Sequence, residues 1–305
     1  MLDQQGGPSR TFVEVAEVWV PNGEDRLVWE GGDYGDLHDF RAVSGQESFA
    51  KGEGLPGKAW AEGRPVVLKG FEGSYFKRTE AAHAAGLTAA VAVPVFAGDA
   101  LKAVLVTLCA DDEDRIGAIE IWAESAGVLK LDDGYFGAAR HFEWVSRHSQ
   151  FPKGQGLPGR VWGGGAPVLM RDLGSGYKFI RAESAGQAGL TAGLGLPIPV
   201  PGGGRYVVTM LSARGTPIAR RFEIWAVTEG KARLIDGLCA AEETLDLGRE
   251  SQRAEATDDP VGQVLATGRP IAARRETGLP AGYRSVVALP IHVGDTLAHV
   301  VAWYG

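Results

Sequence analysis

The stretch with the strongest outward look of chemistry is GEGLPGKAW at residues 52–60. Gly52, Gly54 and Gly57 form a G-x-G-x-x-G pattern, and Lys58 follows where a phosphate-binding lysine could stand. GQGLPGRVW at 154–162 repeats the glycines, with Arg160 behind them. A dinucleotide loop, however, follows an apolar strand and opens a long crossover helix. Here the preceding GQESFAK is polar, and Gly63 leaves barely two helical turns. Pro56 removes one of the N–H groups that such a loop presents to phosphate. The P-loop form fails as well, because Ala59 stands where Ser or Thr would bind magnesium. The motif therefore reads as a tight turn that lowers Trp60 or Trp162 onto a sheet.

Other reactive residues are sparse. Cys109 and Cys239 are isolated and read as small buried apolar side chains. His141 and His148 flank Trp144 and Arg147 at a spacing that matches no metal site. No Ser-His-Asp or Cys-His arrangement can be argued from spacing. A formal net charge of −7 argues against nucleic acid as the main partner. No apolar run approaches the roughly 20 residues that span a bilayer. The N-terminus lacks the basic and apolar regions of a signal peptide, so a cytoplasmic protein with no membrane association is expected.

The elements that position these residues come in three copies. Ala16-Glu17-Val18-Trp19 returns as Ile119-Glu120-Ile121-Trp122 and as Phe222-Glu223-Ile224-Trp225. Gly57-Lys58-Ala59-Trp60, Gly159-Arg160-Val161-Trp162 and Gly262-Gln263-Val264-Leu265 follow in register, and then AGLTAAVAVPV, AGLTAGLGLPI and AGYRSVVALPI. Ordered landmarks at one period define internal repeats. A flexible 1–10 is expected to precede repeats at 11–113, 114–217 and 218–305. Within repeat 1, runs at 12–20 and 26–30 predict a hairpin, and 58–62 a short helix. Residues 66–68 predict a strand, 75–85 a helix ended by Gly86, and 87–97 with 100–109 a second hairpin. This order predicts an α+β fold, an antiparallel sheet with short helices on one face.

At these residues the chain resembles GAF domains, the ligand-sensing relatives of PAS domains, and most of all those fused to bacterial sensor kinases. Repeat 1 carries Phe49, Gly54 to Gly57, Trp60, Pro65, Phe76, Arg78, Gly86, Leu87 and Pro94. Repeat 2 carries Phe151, Gly156 to Gly159, Trp162, Pro167, Phe179, Arg181, Gly189, Leu190 and Pro197. The resemblance implies a tandem of three GAF domains and a small organic ligand between sheet and short helices. In repeat 1 that points to Trp60, Tyr75, Phe76, Arg78, Glu80 and His83. In repeat 2 it points to Trp162, Tyr177, Phe179, Arg181 and Glu183. The aromatics weigh towards core. The arginines stand between pairing with Glu80 or Glu183 and holding an anionic ligand. His83 could bind haem or metal, or act as a base, but weighs towards solvent. The Glu-x-Trp pairs, shared by all three repeats, suit packing.

Several GAF specialisations lack their residues. No cysteine stands by the pocket helix for a covalent bilin, the N-K-F-D-E run of cyclic-nucleotide GAF domains is missing, and nothing supports NAD. Repeat 3 lacks the stretch with Phe-x-Arg and the alanine-rich helix, so its pocket is expected to be degenerate, collapsed or open. The short junctions leave no room for the long helices that cover GAF sheets. Each sheet thus has a bare apolar face, to be packed on another repeat or on a second chain, as a homo-oligomer or with a partner protein. VVAWYG, the last residues, fall in a predicted strand, which leaves output to a separate protein. The leading expectation is a sensory or regulatory protein acting through a partner. The alternatives are an oligomerisation subunit with degenerate pockets, and an enzyme using His83 as base and Arg78 as anion holder.

Overall fold

A computed structural model describes residues 11–110, 114–174, 179–239, 244–253 and 258–305. The expected flexible segment 1–10 and the predicted boundary near 113 lie outside these residues.

The first sheet contains β1 (Val15–Pro21), β2 (Arg26–Asp33), β3 (Ser48–Ala50), β4 (Val66–Lys69), β5 (Leu87–Ala97) and β6 (Ala100–Ala110), with helices α1 (His38–Ser44), α2 (Gly54–Glu62) and α3 (Thr79–Ala84). The second contains β7 (Ile116–Ser125), β8 (Val128–Gly137), β9 (Gln150–Phe151), β10 (Val168–Arg171), β11 (Leu190–Pro199) and β12 (Arg205–Ala213), with α4 (Arg140–Arg147), α5 (Gly156–Gly164) and α6 (Ala182–Gln187). The third contains β13 (Arg221–Thr228), β14 (Lys231–Cys239), β15 (Glu250–Gln252), β16 (Ile271–Arg274), β17 (Ser285–Val293) and β18 (Thr296–Tyr304), with α7 (Pro260–Thr267). Every pairing is antiparallel, and the three sheets share one order: β3-β2-β1-β6-β5-β4 recurs as β9-β8-β7-β12-β11-β10 and as β15-β14-β13-β18-β17-β16. The fold is α+β, as the hairpin–helix–strand–helix–hairpin pattern predicts.

Alternation along the strands builds two kinds of core. In β1, Val15, Glu17 and Trp19 face the helices, while Ala16, Val18 and Val20 face away. The same holds for Ile119 and Ile121 in β7 and for Phe222 and Ile224 in β13. These away-facing side chains, with Val91, Leu194 and Leu289, merge into one buried cluster shared by all three sheets. The bare sheet faces therefore cover one another inside a single chain. The arrangement closes in a ring: β4 packs on β8, β10 on β14, and β16 on β2. Lys69–Asp133 at 3.0 Å, Arg171–Asp236 at 2.8 Å and Arg274–Asp33 at 3.8 Å join successive units at this seam. An oligomer or partner attached through the sheet faces, one of the sequence expectations, has no such face left to use.

Proline marks the same place in each unit. Pro94, Pro197 and Pro290 sit two residues beyond the last pairing with β4, β10 and β16. Their missing N–H thus faces no neighbouring strand. The short helix predicted at 58–62 begins earlier, at Gly54, and takes in the Leu-Pro-Gly turn. Pro56 lies in the first turn, where N–H groups lack intrahelical partners in any case. The helix expected over 75–85 is limited to Thr79–Ala84, and α1 and β3 come as additions.

Candidate ligand sites in the three units

Each unit centres on its Glu-x-Trp pair, which the strand alternation turns beneath the helices. In the first, Glu17 is completely buried and accepts hydrogen bonds from Trp19 Nε1 at 3.1 Å, Tyr34 at 3.0 Å and Ser44 at 2.9 Å. Arg78 completes the set with both terminal nitrogens, one of them at 2.9 Å. Its guanidinium is enclosed by the rings of Trp19, Phe40 and Phe76 at 4.8–5.3 Å. The second unit repeats this. Glu120 accepts from Trp122 at 3.1 Å, Thr209 at 2.7 Å and both terminal nitrogens of Arg181. Arg181 lies among Trp122, Phe142, Phe151 and Phe179. Burial pushes the Glu120 carboxyl up, but the Arg181 charge and the hydrogen bonds of Arg181, Thr209 and Ser146 outweigh it. They hold that carboxyl below its ordinary value.

These contacts fix the role of the sequence-predicted residues. Arg78 and Arg181 pair with Glu17 and Glu120, not with Glu80 and Glu183, which are exposed. Both arginines are 3% exposed, so the guanidinium is consumed internally and holds no anion. Phe76 is stacked on Phe71 at 4.0 Å, and Phe179 is buried, so both serve as core. Trp60 and Trp162 are half-buried beneath Lys51 and Lys153. Tyr75 lies at the surface under Lys58, and His83 is exposed at the end of α3. Tyr177 lies outside the described residues. The enzyme alternative loses its anion holder, since Arg78 is sealed away from the exposed His83. The recurring motif glycines serve this packing. A Cβ on Gly54 would lie 2.6 Å from the Phe49 ring, and one on Gly57 2.1 Å from the Ala50 carbonyl oxygen.

The third unit departs at each of these points. Ser251 pairs opposite Ala232 as Phe49 pairs opposite Leu27 and Phe151 opposite Leu129. A hydroxymethyl group thus replaces the ring that stacks edge-on against Trp19 or Trp122 at 4.7–4.8 Å. With that ring gone, Asp259 takes the Gly54 position, caps α7 through Val261 N at 3.0 Å and accepts from Ser251. Among the described residues, no helix stands between β14 and β15 or between β16 and β17. A cavity of about 490 Å³ remains, bordered by Trp225, Arg249, Ser251, Asp258, Asp259, Leu279 and Tyr304. Glu223 still accepts from Trp225 at 3.1 Å, but its other partners come from new directions. Arg221 donates at 2.9 and 2.6 Å, Tyr304 at 2.9 Å, and Arg249 at 3.1 and 3.3 Å. Burial, then the nearby Glu223 carboxylate, push the Tyr304 hydroxyl well above its ordinary pKa. In this unit, whose pocket the sequence leads one to expect degenerate, the space beside Trp225 is open.

A second cavity, of about 510 Å³, lies where the ends of the units meet. Its charged lining alternates Glu14, Asp33 and Asp36 with Arg115, Arg220, Arg274 and Arg284. None of Arg249, Ser251 and Tyr304 is singled out by sequence spacing. The signal that could have found the first is the persistence of Glu223-x-Trp225 after the loss of its Phe-x-Arg partner.

The family model for the GAF domain matches residues 10–129, which span the first sheet and run on through β7. A GAF domain is thus found in the first unit, and the other two units repeat its sheet order, consistent with tandem GAF repeats. GAF domains are generally ligand-binding sensory modules. Among solved structures, the chain is similar to the A. aeolicus Nlh2 GAF domain in an inactive state, at 22% identity and a TM-score of 0.27 over 33% of this chain. It spans 59% of that domain's chain. It is also similar to a NreA protein from Staphylococcus aureus mutated in its nitrate-binding site, at 19% identity and a TM-score of 0.26, over 32% of this chain and 72% of that one. No curated protein matches the chain. Among the described residues no helix is long and apolar enough to cross a membrane.

Proposed function

We propose that this protein is a small-molecule sensor in which the third unit receives the ligand and the first two act as its scaffold. One observation carries the reading. The space beside the Glu-x-Trp pair is filled in two units by the chain's own arginine and phenylalanine, whereas in the third it is a cavity of about 490 Å³. That volume falls in the range of pockets for small organic molecules, roughly 300–1,000 Å³. Trp225 and Tyr304 supply the aromatic wall, and Ser251 and Asp259 the polar groups that fix orientation. A ligand seated there touches α7 and the loop before β17, and through β14 and β16 it reaches both neighbouring units. Signal passes from those seams to a partner protein at the outer surface, since the sheet faces are buried within the chain.

Thermal unfolding of the full chain across a metabolite panel tests this reading. The expected result is a rise in Tm with at least one compound, abolished by Ser251→Phe combined with Asp259→Gly, which restores the ring and the glycine of the other units. Stabilisation that survives this double substitution would place the ligand elsewhere.

A further inference from the structure

We infer that the third-unit pocket takes a compact organic cation bearing a guanidinium or primary ammonium group, which displaces Arg249 from the face of Trp225; this rests on that pocket being the ligand site.

The molecule itself shows what the Glu-x-Trp pair accepts. In each unit a guanidinium lies over the indole and donates to the glutamate: Arg78 at 5.3 Å from Trp19, Arg181 at 5.1 Å from Trp122, and Arg249 at 4.9 Å from Trp225. The first two arrive from the loop just before α3 and α6, while the third comes from the opposite side, next to β15. An aromatic face above a buried carboxylate is a cation site whichever segment supplies the cation.

What differs is how firmly the occupant is held. The side chains of Arg78 and Arg181 are 1% exposed, but that of Arg249 is 39% exposed. Its bonds to Glu223, at 3.1 and 3.3 Å, are longer than those of Arg221 at 2.9 and 2.6 Å. Arg221 thus continues to neutralise Glu223 when Arg249 leaves, so the exchange strands no buried charge. The Arg249 guanidinium, already near solvent, regains its hydration. The cavity opens directly onto this position, and its remaining charged lining, Glu250, Asp258 and Asp259, is acidic. Asp259 also caps the α7 N-terminus through Val261 N, and its carboxylate disfavours an anion there.

The test is calorimetric titration of the full chain with agmatine, which carries a guanidinium and an ammonium on one short chain, alongside acetate and succinate as anions. Saturable agmatine binding is expected, tightened at least tenfold in Arg249→Ala because the internal competitor is gone. Ser251→Phe combined with Asp259→Gly, which supplies the ring together with the glycine that accommodates it in the other units, is expected to abolish binding while retaining Tm, which shows that the variant is folded. Absence of agmatine binding in both the parent and Arg249→Ala overturns the proposal. Binding of the anions instead, lost in Arg249→Ala, overturns the cation class but leaves the third unit as the pocket. Agmatine binding that Ser251→Phe with Asp259→Gly does not weaken overturns both this inference and the reading beneath it.

Discussion

The first and third units carry the same sheet around the same buried glutamate and tryptophan, yet one is solid and the other hollow. In the first, Arg78 comes from the loop that leads into α3, Ser44 from α1 and Phe49 from β3, and the three close over Glu17 and Trp19. In the third, a serine replaces the phenylalanine, and Tyr304, Arg221 and Arg249 satisfy the glutamate from the sheet and its edge. The buried carboxylate is a fixed demand, because an ionised group without partners is far too costly to keep in a core. Two solutions meet that demand, and only the second leaves room for another molecule.

The sharpest way to break this contrast is to remove the arginine from each side. Arg78→Ala strands Glu17 and is expected to cost about 3–5 kcal/mol in urea unfolding. Phe49→Ser, which copies the third-unit residue into the first, is expected to cost a similar 3–5 kcal/mol, since a ring is lost without the compensating changes. Ile224→Ala probes what the units share. It opens the common cluster behind all three sheets and is expected to cost about 2–5 kcal/mol, lowering the stability of the whole chain in a single transition. Separate melting of the third unit alone would contradict the shared core.

Smaller effects sharpen the picture. Ser251→Phe combined with Asp259→Gly, which restores both the ring and the glycine that accommodates it, is expected to change the stability of the third unit by no more than about 1 kcal/mol, the edge-on ring contact offsetting the lost cap. Because the Glu120 carboxyl is held below its ordinary value when folded, it stabilises the second unit above the unfolded carboxylate pKa, about 4.3. That contribution is lost as pH falls through the folded value, so acid unfolding of the parent should steepen below about pH 4, and Glu120→Gln should flatten the curve there. Arg249→Ala, at a half-exposed position with Arg221 still in place, is expected to change stability by less than about 1 kcal/mol.

Much of this architecture is legible in the sequence because its signals are periodic. The Glu-x-Trp runs alternate as strands do, and their recurrence marks three copies of one sheet. The bare sheet faces are legible too, from junctions too short to carry covering helices. The site is less so. Phe-x-Arg stands out at 76/78 and 179/181, but the partners of those arginines lie 61 residues back along the chain, beyond any local spacing rule. Nearby Glu80 and Glu183 offered a cheaper pairing that the fold does not use, because the start of α3 and of α6 turns the arginine inward and the glutamate to solvent. The third-unit pocket is harder still. Nothing in TDDPVGQVL announces that Asp259 occupies the place of Gly54, until Ser251 is seen where Phe49 would have clashed with it.

The central claim is that accessible space lies beside Trp225 and not beside Trp19 or Trp122. Crystals of the full chain soaked in a mixed library of small fragments test it most directly. The account predicts fragment density against Trp225, Ser251 and Tyr304, with Arg78 and Arg181 unmoved over their tryptophans. Density over Trp19 or Trp122 with the arginine displaced, and none in the third unit, would contradict it.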